Sequence, residues 1–232
     1  MVSVDHHRRP DLHGLGWRLI GPLQMIRLVL GLVALLALAA CGSDQRFDPQ
    51  PQVDAARFVA PGPTSITMYT SINDRSGAGA HSALLVNASQ RVLFDPAGTF
   101  YFPGAPIQHD VHYGATDRMV AFYLDYHARD TPTEKFHVIE RTLIVSPQTA
   151  ELILQRVQAN GSVPKAFCAN SITNILRGVP GFESLSNTMF PIKLGESFAQ
   201  LPGVTTRIVT EETDNPGDHG ITLVDKDGQK VN

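Results

Sequence analysis

Cysteine is nearly absent from this chain: two residues, Cys41 and Cys168, among 232. A disulfide framework is excluded, so a packed core must hold the fold. Runs of basic residues are also missing. The part from residue 41 onward keeps 15 basic and 20 acidic residues, a net charge of −5. Without a basic patch, nucleic acid is excluded as a partner. No internal repeat is visible, and no apolar run reaches the roughly 20 residues that a bilayer crossing needs. About 150 residues, 65–210, suit a single domain, and a chain of that size can bury roughly 70% of its unfolded surface.

The N-terminus does carry one apolar run, Leu28 to Ala40, 13 residues long. That is the length of a signal-peptide core, with Arg27 in front of it and small residues at its end. Leu38-Ala39-Ala40-Cys41 resembles the bacterial lipobox. The resemblance implies a diacylglycerol on the Cys41 sulfur, cleavage before Cys41 and a palmitate-like acyl chain on the new amine. Several chains anchor firmly. Residue 42 is Gly, not the Asp that such lipoproteins use for inner-membrane retention. A periplasm-facing place on the outer membrane is therefore expected. Residues 1–40 read as the signal segment, with 1–24 read as upstream of the true start at Met25. Residues 41–64 read as lipidated Cys and tether, 65–210 as one catalytic-type domain, and 211–232 as a flexible tail. If Cys41 carries lipid, Cys168 is a free thiol with no partner in its own chain.

The coarse pattern is α+β. Ser65–Ser71 alternates as a strand, and His81–Val86 with Arg91–Asp95 reads as a hairpin. Residues 99–115 read as a long irregular loop. A helix is predicted over 117–128, capped by Thr116, with Met119, Val120, Tyr123 and Tyr126 on one face. A strand follows at 136–145. Ser146-Pro147 starts a helix that runs to about Ala159. A second runs from about Phe167 to Arg177 and ends at Gly178. A short amphipathic turn is expected at 193–201 and a last strand at 204–209.

Cys168 sits at the start of a predicted helix. Free N–H groups and the helix dipole there favour a thiolate and can stabilise an oxyanion. The alternative is a small buried apolar Cys. His81 opens a strand among small residues and is a candidate base for the thiol. It reads equally as a hydrogen-bonded strand histidine. Asp95 ends the partner strand. With an odd turn count it falls on the face of His81 and can orient the ring; with an even count it falls on the other face. It also reads as an Asp-Pro turn starter. His109 and His112 are too few for a zinc site in this loop; His112, Tyr113 or Tyr101 could instead line a cleft. His127 and His137 read as surface or strand-edge residues. No cofactor or metal is expected.

The order of a His-Ser-Ala-Leu-Leu-Val strand, a hairpin return, a helix, an Arg-containing strand and a late Phe-Cys-Ala-Asn-Ser helix resembles the circularly permuted branch of the NlpC-type papain fold, over about residues 65–178. That resemblance implies a cysteine peptidase, amidase or acyltransferase with Cys168 as nucleophile, His81 as base and Asp95 as the third polar residue. It implies as substrate a peptidoglycan peptide amide or an acyl lipid of the cell envelope. The loop at 99–115 departs from the pattern. The other function class is a non-catalytic envelope lipoprotein that binds a wall or lipid component on the same scaffold.

Overall fold

A computed structural model describes residues 21–39, 46–211, 220–224 and 229. The chain divides into two units, one ending at Gly42 and one beginning at Ser43. In the first, α1 (Pro22–Ala39) is an 18-residue helix. Among the described residues no helix is long and apolar enough to cross a membrane. Cys41, the expected lipidation site, lies outside the described residues.

The second unit is α+β, built on an antiparallel sheet. Its strands are β1 (Ser65–Asn73), β2 (Gly79–Asn87), β3 (Arg91–Phe94), β4 (Ile107–Gln108), β5 (Val111–Tyr113), β6 (Phe136–Ile144), β7 (Thr205–Thr210) and β8 (Gly220–Val224). They lie side by side in the order β4-β5-β3-β2-β1-β6-β7-β8. Helices cover both faces, so β1 and β2 are buried almost throughout and read as near-continuous runs. On one face Ile66, Met68, Leu84, Val86 and Phe94 meet α4 (Pro147–Ala159), α5 (Cys168–Leu176) and α6 (Pro191–Ala199). On the other, Tyr69, Ala83, Leu85, Leu93 and Val138 meet α3 (Asp117–His127).

The predicted caps form. The Thr116 hydroxyl accepts the Met119 N–H, and the Ser146 hydroxyl accepts the Thr149 N–H at 3.1 Å with Pro147 in the first turn. The face of α3 is narrower than the spacing suggested: Met119 and Tyr123 are buried, but Tyr126 is exposed.

Several stretches differ from the sequence reading. The loop at 99–115 contains β4 and β5, too short to show a periodic pattern, which extend the sheet beyond β3. The turn at 193–201 is the helix α6. Part of the expected tether is folded onto the domain. Phe47 bridges Gln108, α2 (Gln50–Ala55) buries Val53, and the Phe58 carbonyl accepts the Arg91 N–H at 2.7 Å. Its Pro- and Asp-rich composition hid one buried Val and these sheet-edge hydrogen bonds. The expected flexible tail contributes β8, paired with β7.

Candidate active site

The β2–β3 register pairs Leu84 with Phe94 and Asn87 with Arg91, leaving a turn of three residues, 88–90. The odd count places Asp95 on the face of His81. Continued by one pair, the register sets Asp95 opposite Ala83, diagonal to His81. There His81 Nε2 and Asp95 Oδ1 are 2.6 Å apart, with the aspartate side chain 1% exposed and the histidine 16%. Because Nε2 is held, Nδ1 is the nitrogen left for another partner. The Cys168 thiol is the ring's other polar neighbour, near enough for its charge and that of His81 to act on each other.

The meeting is made possible by an interruption in the sheet. β3 stops at Phe94, so β2 residues before Leu84 have no strand on that side. The first turn of α5 fills the gap. The Cys168 sulfur accepts the Ser82 backbone N–H, which a longer β3 would have satisfied, and the Ala169 N–H of its own helix. No side chain caps α5, so its first N–H groups remain available. Ala166, two residues ahead, is held at φ 71°, an uncommon conformation for a residue with a side chain.

The electrostatics follow from these contacts. Burial opposes the positive charge on His81, but the charge and hydrogen bond of Asp95, with the sulfur adding to them, raise its pKa to about 10. Burial alone would raise Asp95; the His81 ring overrides it and holds the carboxyl far below the usual carboxylate range. Burial likewise works against a Cys168 thiolate, yet the His81 hydrogen bond and charge, then the two N–H groups, bring the thiol below its ordinary value. These shifts all favour an ion pair of thiolate and imidazolium steadied by a carboxylate, the state from which a cysteine attacks a carbonyl.

Other residues hold this group in place. Asp110 joins the two halves: its carbonyl accepts the Asp95 N–H, and its Oδ2 accepts the N–H of Ala97 at 3.0 Å and of Val163 at 3.1 Å. The turn after Asp95 is thereby tied to the segment that leads to Cys168. A Cβ on Gly98 would lie 1.7 Å from Asp95 Oδ2, so only glycine fits there. The Tyr123 hydroxyl donates to Asp95 Oδ1 at 3.3 Å. His127 stacks on His81, ring centroids 5.5 Å apart and planes 18° apart, with its Nδ1 3.0 Å from the Tyr123 carbonyl. Burial, countered in part by Asp95, lowers the His127 pKa to about 4, so the ring is neutral.

His127 is thus buried at the site, not on the surface as its sequence context suggested. Its spacing of four from Tyr123 on the α3 core face was the available signal. Asp110 carried none, because its role depends on where two distant loops meet. His112 is buried and, with Tyr101, lines a cavity of about 150 Å³ beside Asp95. Tyr113 packs into the opposite core. A second cavity, about 230 Å³, is walled by His81, His127, Tyr126 and Gly98. Among the described residues, the groups close enough to share a metal ion are His81, Asp95 and His127. His81 and Asp95 are already joined directly, so this cluster is first a proton-sharing pair.

No known family's sequence profile, no curated protein and no solved structure matches the chain.

Proposed function

We propose that this protein is a membrane-anchored cysteine hydrolase or acyltransferase of the bacterial cell envelope, on a permuted papain-like scaffold. The observation that carries the reading is the chain of contacts Cys168–His81–Asp95, drawn from α5, β2 and the end of β3. The Cys168 thiolate attacks an amide or ester carbonyl. Imidazolium His81 donates its proton to the leaving nitrogen or oxygen, and a thioester to Cys168 remains. Neutral His81 then takes a proton from water, or from an acceptor hydroxyl or amine, and the thioester is cleaved to restore the thiol. Asp95 keeps the ring oriented and stabilises its charge. The lipobox-like segment ending at Cys41 would place the domain beside both candidate substrates, wall peptides and acyl lipids.

One observation favours a second reading, a binding module without catalysis: Cys168 is only 5% exposed. Alkylation separates the two. In the full-length chain, iodoacetamide labelling of the Cys168 peptide is followed across pH, in wild type and His81→Ala. An enzyme gives labelling well below the ordinary thiol pKa of about 8.5, shifted upward without His81. An inert Cys168, or identical titration in both proteins, leaves the binding module as the account.

A further inference from the structure

Exposed aromatic side chains gather on one side of the second unit. Phe47, Tyr101, Phe122 and Tyr126 are 62%, 49%, 46% and 40% exposed. Their neighbours join them into one patch. The Arg46 guanidinium lies over the Tyr101 ring, 4.7 Å from its centroid. Phe47 and His109 meet edge to face, ring centroids 5.2 Å apart, and His109 lines the same cavity as Arg46 and Tyr101. Phe100 and Phe102, on either side of Tyr101 in the chain, both contact Phe122, and Phe100 also contacts Tyr126. Arg118 precedes Phe122 by one turn on the exposed side of α3, and the Arg129 guanidinium lies over the Tyr126 ring at 5.7 Å.

A soluble monomer seldom leaves large rings grouped in this way, so the patch marks a contact surface. Two observations say with what. The first is the chain that leads to it. Arg46 and Phe47 belong to the patch, and Arg46 follows Cys41 by five residues. A lipid on Cys41 therefore holds this edge of the domain within about 18 Å of the bilayer, the most that five extended residues can reach. Met189 and Phe190, the exposed apolar pair at the start of α6, have no such link to the anchor. The second is composition. Tyrosine and arginine each join an apolar body to a polar end, which suits the boundary between acyl chains and headgroups, and phenylalanine inserts beside them. Net charge does not choose the partner, because Arg46, Arg118 and Arg129 are offset by Asp48, Asp125 and Glu134. A zwitterionic lipid surface suffices.

We propose that this aromatic face, from Phe47 through Tyr101 to Phe122 and Tyr126, docks on the surface of the bilayer that holds the Cys41 lipid. The inference rests on the membrane anchor of the proposed function and not on its chemistry. It adds an orientation to that reading. Tyr126 is also a wall of the cavity at His81, so docking sets that cavity beside lipid and favours an acyl lipid over a wall peptide as substrate.

The test uses the full chain, expressed in bacteria with its own leader and bound to vesicles of phosphatidylcholine brominated on its acyl chains. The chain's single tryptophan is Trp17. In a Trp17→Phe background, Phe122→Trp and Phe190→Trp each provide one fluorescent reporter. The first lies in the patch but away from the anchor, and the second lies at α6. Both positions are exposed, so neither change disturbs the core. Docking at least halves the fluorescence of Phe122→Trp relative to unbrominated lipid and spares Phe190→Trp. Adding Phe47→Ser and Tyr101→Ser to Phe122→Trp restores most of the loss. Quenching of neither reporter, of both alike, or of Phe190→Trp alone overturns the docking. An unquenched Phe122→Trp in a chain that sediments as a dimer assigns the face to a second copy instead. The mass of the Cys41 peptide reports its lipid separately, so a missing anchor and a missing dock give different results.

Discussion

Gly98 and Asp95 show how closely the site is fitted at the level of single residues. Any side chain at 98 must push the Asp95 carboxylate away from His81, since a Cβ would overlap Oδ2. Gly98→Ala should therefore mimic Asp95→Asn although the carboxylate is still present. In both variants the His81 pKa falls from about 10, and Cys168 titrates closer to an ordinary thiol. The pH profile of Cys168 alkylation reads this. A Gly98→Ala profile that coincides with wild type would show that the carboxylate does not set the charge on His81. Gly98→Ala also carries an overpacking cost of about 1–3 kcal/mol, so it is compared with Asp95→Asn at a temperature where both are folded. His127 is a different case: with its pKa lowered to about 4 it does not compete for the Asp95 charge at neutral pH, and its stacked ring shields the pair.

At the scale of elements, the short length of β3 matters more than any motif. Two more strand pairs would have set Pro96 opposite Ser82, where its carbonyl could take the Ser82 N–H, and closed the gap that α5 enters. The segment at 46–64 is the other element with a structural role. It buries Val53 against the helical-layer core and supplies the Asp48 carboxylate that accepts the Ile107 N–H at 2.7 Å. Val53→Asp should destabilise the domain by about 2–4 kcal/mol, from lost burial and an unpaired buried charge. A free tether would give no change in chemical unfolding. The helix caps are smaller contributions: Ser146→Ala is expected to cost about 1 kcal/mol, again read by chemical unfolding.

For the whole molecule, the ion pair links folding to pH. His81 has a folded pKa of about 10 against about 6.5 unfolded, so its contribution is fully present below about 6.5 and is lost as pH rises through about 10. Asp95 is shifted the other way. Its contribution is present above about 4 and is lost as pH falls. Cys168 is depressed as well and would add stability at alkaline pH, so the measurement belongs in a Cys168→Ser background. There the chain should lose stability relative to its His81→Gln derivative between about pH 7 and 10, by a few kcal/mol. A flat difference over that range would mean that the His81–Asp95 pair does not hold a proton in the folded state.

Local chemistry was enough to place much of this fold. Thr116 and Ser146-Pro147 fixed helix starts, Gly178 marked the end of the Cys168 helix, and two short apolar runs on either side of Asn87-Ala88-Ser89-Gln90 defined the hairpin. These signals act within a few residues, so they are written in order along the chain. The sequence also singled out Cys168, His81 and Asp95, because free cysteine is scarce and a helix start alters its chemistry. What it left open was whether Asp95 faces His81. That depends on a turn of three residues, and one residue more or less would have turned the carboxylate to the other face. The contacts of Asp110 and His127 with the site, the packing of 46–64 and the gathering of Phe47, Tyr101 and Phe122 into one patch were decided only by tertiary structure. Each depends on segments far apart in the chain meeting at one point, and no local propensity records that.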